Sequence, residues 1–167
     1  NNRIDQGDVP IDEGLFASLH GRPYVDALGG GVQTVMASFS SWNGKKMHHH
    51  KYLLTDVLKG QMGFDGFVVG DWNGHEQVPG CSPSSCADAI NAGVDMIMVP
   101  YEWKKFLDNI VSQVKSGSIS RARLDDAVRR ILRVKFRAGL MKGKAPSERF
   151  LAGRDALIGF AAHRKVA

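Results

Sequence analysis

The chain has 167 residues, 43% of them hydrophobic and 23% charged, with a formal charge of +5 and two cysteines. That balance suits one folded domain and excludes disorder and collagen-like repeats. No apolar run reaches the length of a bilayer span, and "NNRIDQGDVP" is polar from its first residue, so neither a membrane helix nor a leader is expected within these residues.

A helical pattern opens at Asp12-Glu13, with Leu15, Phe16 and Leu19 at helical spacing, is interrupted near Pro23 and stops at the glycines 29–31. The nearly continuous apolar run "VQTVMASF" (32–39) predicts a strand buried on both faces, as parallel strands are. "SWNG" is turn chemistry, and the histidines of "MHHHKY" read as a solvated loop rather than a metal site. In "KYLLTDVLKGQM" (51–62), Leu54, Val57, Leu58 and Met62 share one side of a helix, and "GFVVGD" is a second strand. Cys81 and Cys86, in "CSPSSC", have neither redox C-x-x-C nor zinc spacing; a local disulfide is expected, with two free thiols as the alternative. "CADAINAG" predicts a short helix ended by Gly93, and "MIMVP" (96–100) a third strand.

Trp103, Phe106, Leu107, Ile110, Val111 and Val114 line one face of the next helix, with Gly117 at its C-terminus. Ser120 then caps a basic helix running to about Gly139. Its arginines fall between the apolar positions Leu124, Val128, Ile131, Leu132 and Phe136, with no interleaved aromatic residues. They therefore read as one solvated face rather than a nucleic-acid surface. Residues 141–167 read as an extended linker.

Val35 to Val68 is 33 residues and Val68 to Ile97 is 29, near the roughly 31-residue unit of a (β/α)8 barrel. Parallel strands alternating with helices make the fold α/β, either a small open sheet or a piece of a barrel. In such folds the working residues stand at the carboxyl ends of strands. Here those ends read "SFSSWNG", "GDWNGHE" and "VPYEW", a mixture of indoles, hydroxyls, amides and carboxylates suited to sugars. No phosphate-binding glycine loop, H-E-x-x-H or G-x-S-x-G is present, and no cofactor or metal is expected. Asp71 either caps the "DWNG" turn or is a carboxylate nucleophile, which must stay ionised and so needs hydrogen-bond donors.

The run "VMASFSSWNGKKMHHHKYLLTDVLKGQMGFDGFVVGDWNG", with "NAGVDMIMVP" and "DDAVRRILRVKFRAGL", resembles the N-terminal barrel domain of glycoside hydrolase family 3, which includes β-glucosidases and exo-β-glucan glucohydrolases. The resemblance implies a partial TIM barrel, the last three strands, over residues 1–140 and the start of an interdomain linker over 141–167. It implies hydrolysis of terminal β-linked glucose from β-glucosides or β-glucans with retention, Asp71 being the nucleophile. Trp72, Phe39, Met98 and Met36 would line the glucose subsite. Phe39 stands where many members carry tyrosine, Gly70 replaces a common serine, and His49 replaces a common glycine, a strained exchange if φ there is positive.

The family's earlier sugar-binding residues and its general acid/base are expected outside this chain. Within it, Glu76 and Glu102 follow strand ends and are candidates for the acid, or else solvated loop glutamates; Asp95, before the third strand, reads as structural. The isolated chain is expected to be marginal, self-associating or dependent on the rest of the barrel. A truncated, non-catalytic piece is the alternative reading. Family habit and the cysteine loop point to a periplasmic or secreted protein, with no nucleic-acid or membrane partner.

Overall fold

A computed structural model describes residues 5–141 and 143–167; the first four residues of the polar opening stretch lie outside the described residues. Two units are distinguished, residues 1–134 and 135–167. The architecture of the first is mixed α/β.

Strand β1 (Asp8–Val9) precedes helix α1 (Glu13–Phe16), whose first turn is closed by Asp12 accepting from Leu15 N–H at 3.0 Å. The chain widens into a π-turn over Ala17–Gly21 and restarts as helix α2 (Arg22–Gly29) with Pro23 in its first turn. Proline has no N–H to bond back one turn, so the helix is interrupted before it and resumes where no donor is needed. Strand β2 (Thr34–Met36) follows, then β3 (Ser41–Trp42) and β4 (Lys45–Lys46), an antiparallel hairpin turned by Asn43 and Gly44, both with positive φ. β1 pairs with β3 in parallel, and Trp42 donates from its indole to Ile11 O at 2.9 Å while stacking on Phe16 and His50.

The element that positions the site is the parallel pair of β2 with β5 (Phe67–Val69), in register Thr34↔Phe67, Val35↔Val68 and Met36↔Val69. β5 is the buried member. β2 is not covered on both faces as expected: Thr34 and Met36 are exposed. The third strand is reduced to a single parallel bridge, Val69↔Met96. Asp95 N–H and Met96 N–H both donate to Val68 O, so the alternation a ladder requires is broken at its first step.

A helix follows the hairpin, as expected, but over Tyr52–Gln61 it is wound as a π-helix. It buries Leu54 and Leu58 against Phe64, Val68, Val78, Ala89 and Val94. Helix α3 (Ala87–Ala92) stops at Gly93 (φ 120°), and helix α4 (Trp103–Lys115) at Gly117 (φ 82°), conformations that favour glycine. α4 sets Phe106 into a second cluster with Ile90 and Ile119, but Trp103, Leu107 and Val111 of the same stripe remain exposed. Among the described residues no helix is long and apolar enough to cross a membrane.

Helix α5 (Arg121–Arg137) is capped by Ser120, which accepts from Arg123 N–H at 3.1 Å. Its arginines form a solvated face only in part: Arg121, Arg129 and Arg137 are exposed, but three others turn to the fold. Arg123 donates to Ile90 O, Val94 O and Asp95; Arg130 donates to Phe64 O and Gly66 O; Arg133 donates to Asp65 O. Apart from Ile90 O, which lies in α3, these carbonyls stand just before the strands, and the guanidinium groups supply their donors.

Residues 135–167 contain the end of α5, 3-10 turns at Pro146–Glu148 and Asp155–Leu157, and helix α6 (Ala161–Val166). The segment read as extended is thus partly helical, held by local bonds such as Leu157 N–H to Arg154 O at 3.0 Å.

Candidate active site

Asp71 lies two residues past β5, where the chain leaves the ladder and turns. Four backbone bonds grip that turn: Gly70 N–H to Met96 O (2.8 Å), Asn73 N–H to Met98 O (3.1 Å), Gly74 N–H to Asp71 O (2.9 Å) and Glu76 N–H to Asn73 O (3.0 Å). Asn73 takes a positive φ of 51°, a conformation asparagine tolerates better than most residues. The carboxylate is partly buried, and its Oδ1 accepts the N–H of Trp72 at 2.7 Å. Trp72 is 54% exposed, with its indole edge-on to exposed Tyr101, ring centroids 6.2 Å apart. A carboxylate held by the backbone beside an accessible indole can offer its second oxygen to a ligand stacked on that ring.

The histidine run departs from its reading as a solvated loop. His48 and His50 are buried and His49 half-buried, because the 3-10 turn Met47–His49 is folded back by Met47 N–H to Ser40 O at 3.1 Å. His48, 1% exposed, accepts the N–H of Asp71 on Nε2 at 2.9 Å. Burial pushes its pKa down from 6.5 to about 4, against the opposing pull of the Asp71 carboxylate. His49 has no positive φ, which among the described non-glycine residues occurs at Asn43, Asn73 and Leu151, so the anticipated strain is absent.

A third buried histidine, His75, is also new at the level of the structure. It is 0% exposed, its Nε2–H donates to Pro83 O at 2.9 Å, and it packs edge-on against Phe106. Burial lowers its pKa too. Through it the turn after Asp71 is tied to the loop closed by Cys81 and Cys86, which are disulfide-bonded.

The remaining named positions fall at different distances from this centre. Phe39 is half-buried with its ring 6.4 Å from that of His48. Met98 contributes the carbonyl that holds Asn73. Met36 instead lines an apolar cavity of about 330 Å³ with Phe16, Tyr24, Met47 and Leu53, and neither Asp71 nor Trp72 borders it. Glu76 is exposed on the turn after Asp71, and Glu102 is ion-paired with Lys105 at 3.1 Å. Asp95 lies at the opposite end of the strands, its side chain fully buried against Lys59 and Arg123. Among the described residues no group of three or more His, Cys, Asp or Glu is placed to hold a metal ion.

A parallel strand pair thus delivers a carboxylate and an indole to one turn of a mixed α/β unit. Residues 1–134 match the glycosyl hydrolase family 3 N-terminal domain, and the chain belongs to that family. It is similar in structure to the exo-1,3/1,4-β-glucanase of a Pseudoalteromonas species, with a TM-score of 0.93 and 52% identity over 97% of this chain and 20% of that one. A β-glucosidase of Wickerhamomyces anomalus is 34% identical over 82% of this chain and 16% of its own length. The β-glucosidase of Listeria innocua, solved in complex with glucose, has a TM-score of 0.77 and 26% identity over 93% of this chain and 22% of that one. The chain therefore spans about a fifth of the length of these relatives.

Proposed function

We propose that the protein containing this chain is a retaining glycoside hydrolase that releases terminal β-linked glucose from β-glucosides or β-glucans. In this reading β2, β5 and the stretch at Met96 are the last three strands of a (β/α)8 barrel, residues 141–167 begin an interdomain linker, and Asp71 is the nucleophile. The observation that carries it is the presentation of Asp71: a carboxylate on a turn fixed by backbone bonds, at the carboxyl end of a buried strand, beside a half-exposed indole.

The chemistry follows from that placement. Oδ1 is engaged by Trp72 N–H, so Oδ2 attacks the anomeric carbon. The bond to the leaving oxygen breaks as that oxygen takes a proton from a general acid, leaving a glucosyl ester on Asp71. Water, deprotonated by the same group, then displaces Asp71 with a second inversion, so the anomeric configuration is kept. Trp72 and Phe39 shape the subsite wall, with Met98 behind them. No metal or cofactor is needed for these steps. The acid is assigned to a residue outside this chain, because Glu102 is ion-paired and Glu76 is exposed. For the same reason the 167 residues alone are proposed to lack turnover.

The disulfide at Cys81–Cys86 supports a periplasmic or secreted location. The engagement of Arg123, Arg130 and Arg133 by backbone carbonyls favours a carbohydrate partner over nucleic acid. The test is to trap the full-length protein with a 2-deoxy-2-fluoro-β-glucoside carrying a good leaving group and map the labelled peptide by mass spectrometry. The label is expected on Asp71; a label on another residue overturns the assignment.

A further inference from the structure

The β2–β5 ladder ends with Ala37 N–H donating to Val69 O at 2.9 Å. Carried one step further, the register would set Ser38 opposite Asp71. Instead an imidazole meets the Asp71 backbone: Nε2 of His48 accepts from Asp71 N–H at 2.9 Å. Since Nε2 accepts, the neutral ring carries its proton on Nδ1. The ring takes up the Asp71 N–H in place of a carbonyl of β2.

Room for that ring is made by two glycines that bracket the aspartate. A Cβ at Gly74 would lie 2.2 Å from His48 Cε1, which nothing but displacement of the ring relieves; one at Gly70 would lie 3.3 Å from Nε2, which a small shift relieves. The histidine comes from a separate element, the Met47–His49 turn, 23 residues away in sequence. Its Nε2 is taken by the Asp71 backbone and the ring is buried, so it exchanges no proton with a ligand.

We propose that His48 is a positioning residue: seated against Gly70 and Gly74, it holds the Asp71 backbone N–H and so fixes where the carboxylate stands. The inference rests on the reading of Asp71 as nucleophile. It assigns His48 an effect on the reaction rate through Asp71 rather than on sugar affinity.

The test compares His48→Leu, which keeps bulk but has no acceptor, with His48→Gln, whose amide both accepts and donates, in the full-length protein. His48→Leu is expected to slow fluoroglucoside trapping and kcat by about 10²-fold, the usual scale for a misplaced reacting group, and His48→Gln to recover about tenfold of that. The inhibition constant of glucose, a neutral ligand, should stay within about twofold, since positioning of the nucleophile is separable from ground-state binding. Equal damage in the two variants, a rate within about threefold of wild type for His48→Leu, or loss confined to the inhibition constant would each overturn the proposal. Should His48→Leu not fold, the wild-type protein decides: long-range proton–nitrogen NMR of labelled histidine is expected to show His48 neutral with the proton on Nδ1, and a proton on Nε2 overturns it. Failure of the nucleophile reading is distinct, because it appears as a label off Asp71 in the wild type.

Discussion

Two aspartates occupy opposite ends of the same strands, and their surroundings differ in kind. Asp95, at the amino end, is buried and saturated: Lys59 Nζ at 2.8 Å and Arg123 share Oδ1, while Val68 N–H donates to Oδ2 at 2.8 Å. Asp71, at the carboxyl end, is partly open and has its side chain met by the backbone of its own neighbour. The first carboxylate is consumed by the fold, stitching α5 and the π-helix to β5. The second is held by its backbone and remains partly open. A buried charge whose partners are all protein groups has no capacity for a ligand.

Exchange of each aspartate in the full-length protein sharpens that contrast. Asp71→Asn is expected to lower kcat on an aryl β-glucoside by about 10⁴-fold or more while leaving the thermal midpoint within a degree or two. Asp95→Asn should do the reverse, destabilising by about 3–5 kcal/mol in denaturant titration because Lys59 and Arg123 lose their buried counter-charge. A stability loss from the first exchange equal to that of the second would erase the distinction.

Acid should weaken the carboxyl end next. His48 is held at about 4 in the fold against an ordinary value of 6.5, so between those values the unfolded chain binds the proton and the folded one does not. Stability is therefore greatest above pH about 6.5 and falls as the pH drops toward 4, by on the order of 3 kcal/mol at most from this group. His50 and His75, lowered by burial too, act in the same direction. Denaturant midpoints compared between the wild type and His48→Gln isolate the share of His48; a slope unchanged by the exchange would show that its burial does not set the acid limit.

The smallest effect is expected at the loop behind His75. Reducing Cys81–Cys86 frees a short loop and should cost about 2 kcal/mol at most in the chain-entropy account. Since Pro83 O holds His75, catalytic rate should fall with it by a few-fold; a rate indifferent to thiol reductant would uncouple that loop from the turn carrying Asp71.

Much of this arrangement is legible along the chain. Gly93 and Gly117 end α3 and α4 where their spacing indicates, Ser120 caps α5, and the step from β5 into "DWNG" puts a carboxylate and an indole at a strand end. These signals are local: a cap, a positive φ or an apolar run acts within a few residues. Three features are not readable in this way. Residues 96–100 have strand composition, yet two N–H groups converge on Val68 O and only a bridge forms. The basic helix has the spacing of a solvated face, yet three of its guanidinium groups, those of Arg123, Arg130 and Arg133, reach carbonyls 29 to 68 residues away.

The histidine run, the third, states the division most clearly. Sequence alone determined that Asp71 ends a buried strand, because hydrophobic patterning and turn chemistry are properties of consecutive residues. Only the tertiary structure decided that His48 lies against it, because a slot bracketed by Gly70 and Gly74 exists once β2, β5 and the Met47–His49 turn are packed together. Contacts of that sort depend on register between separated segments, and no local propensity encodes them.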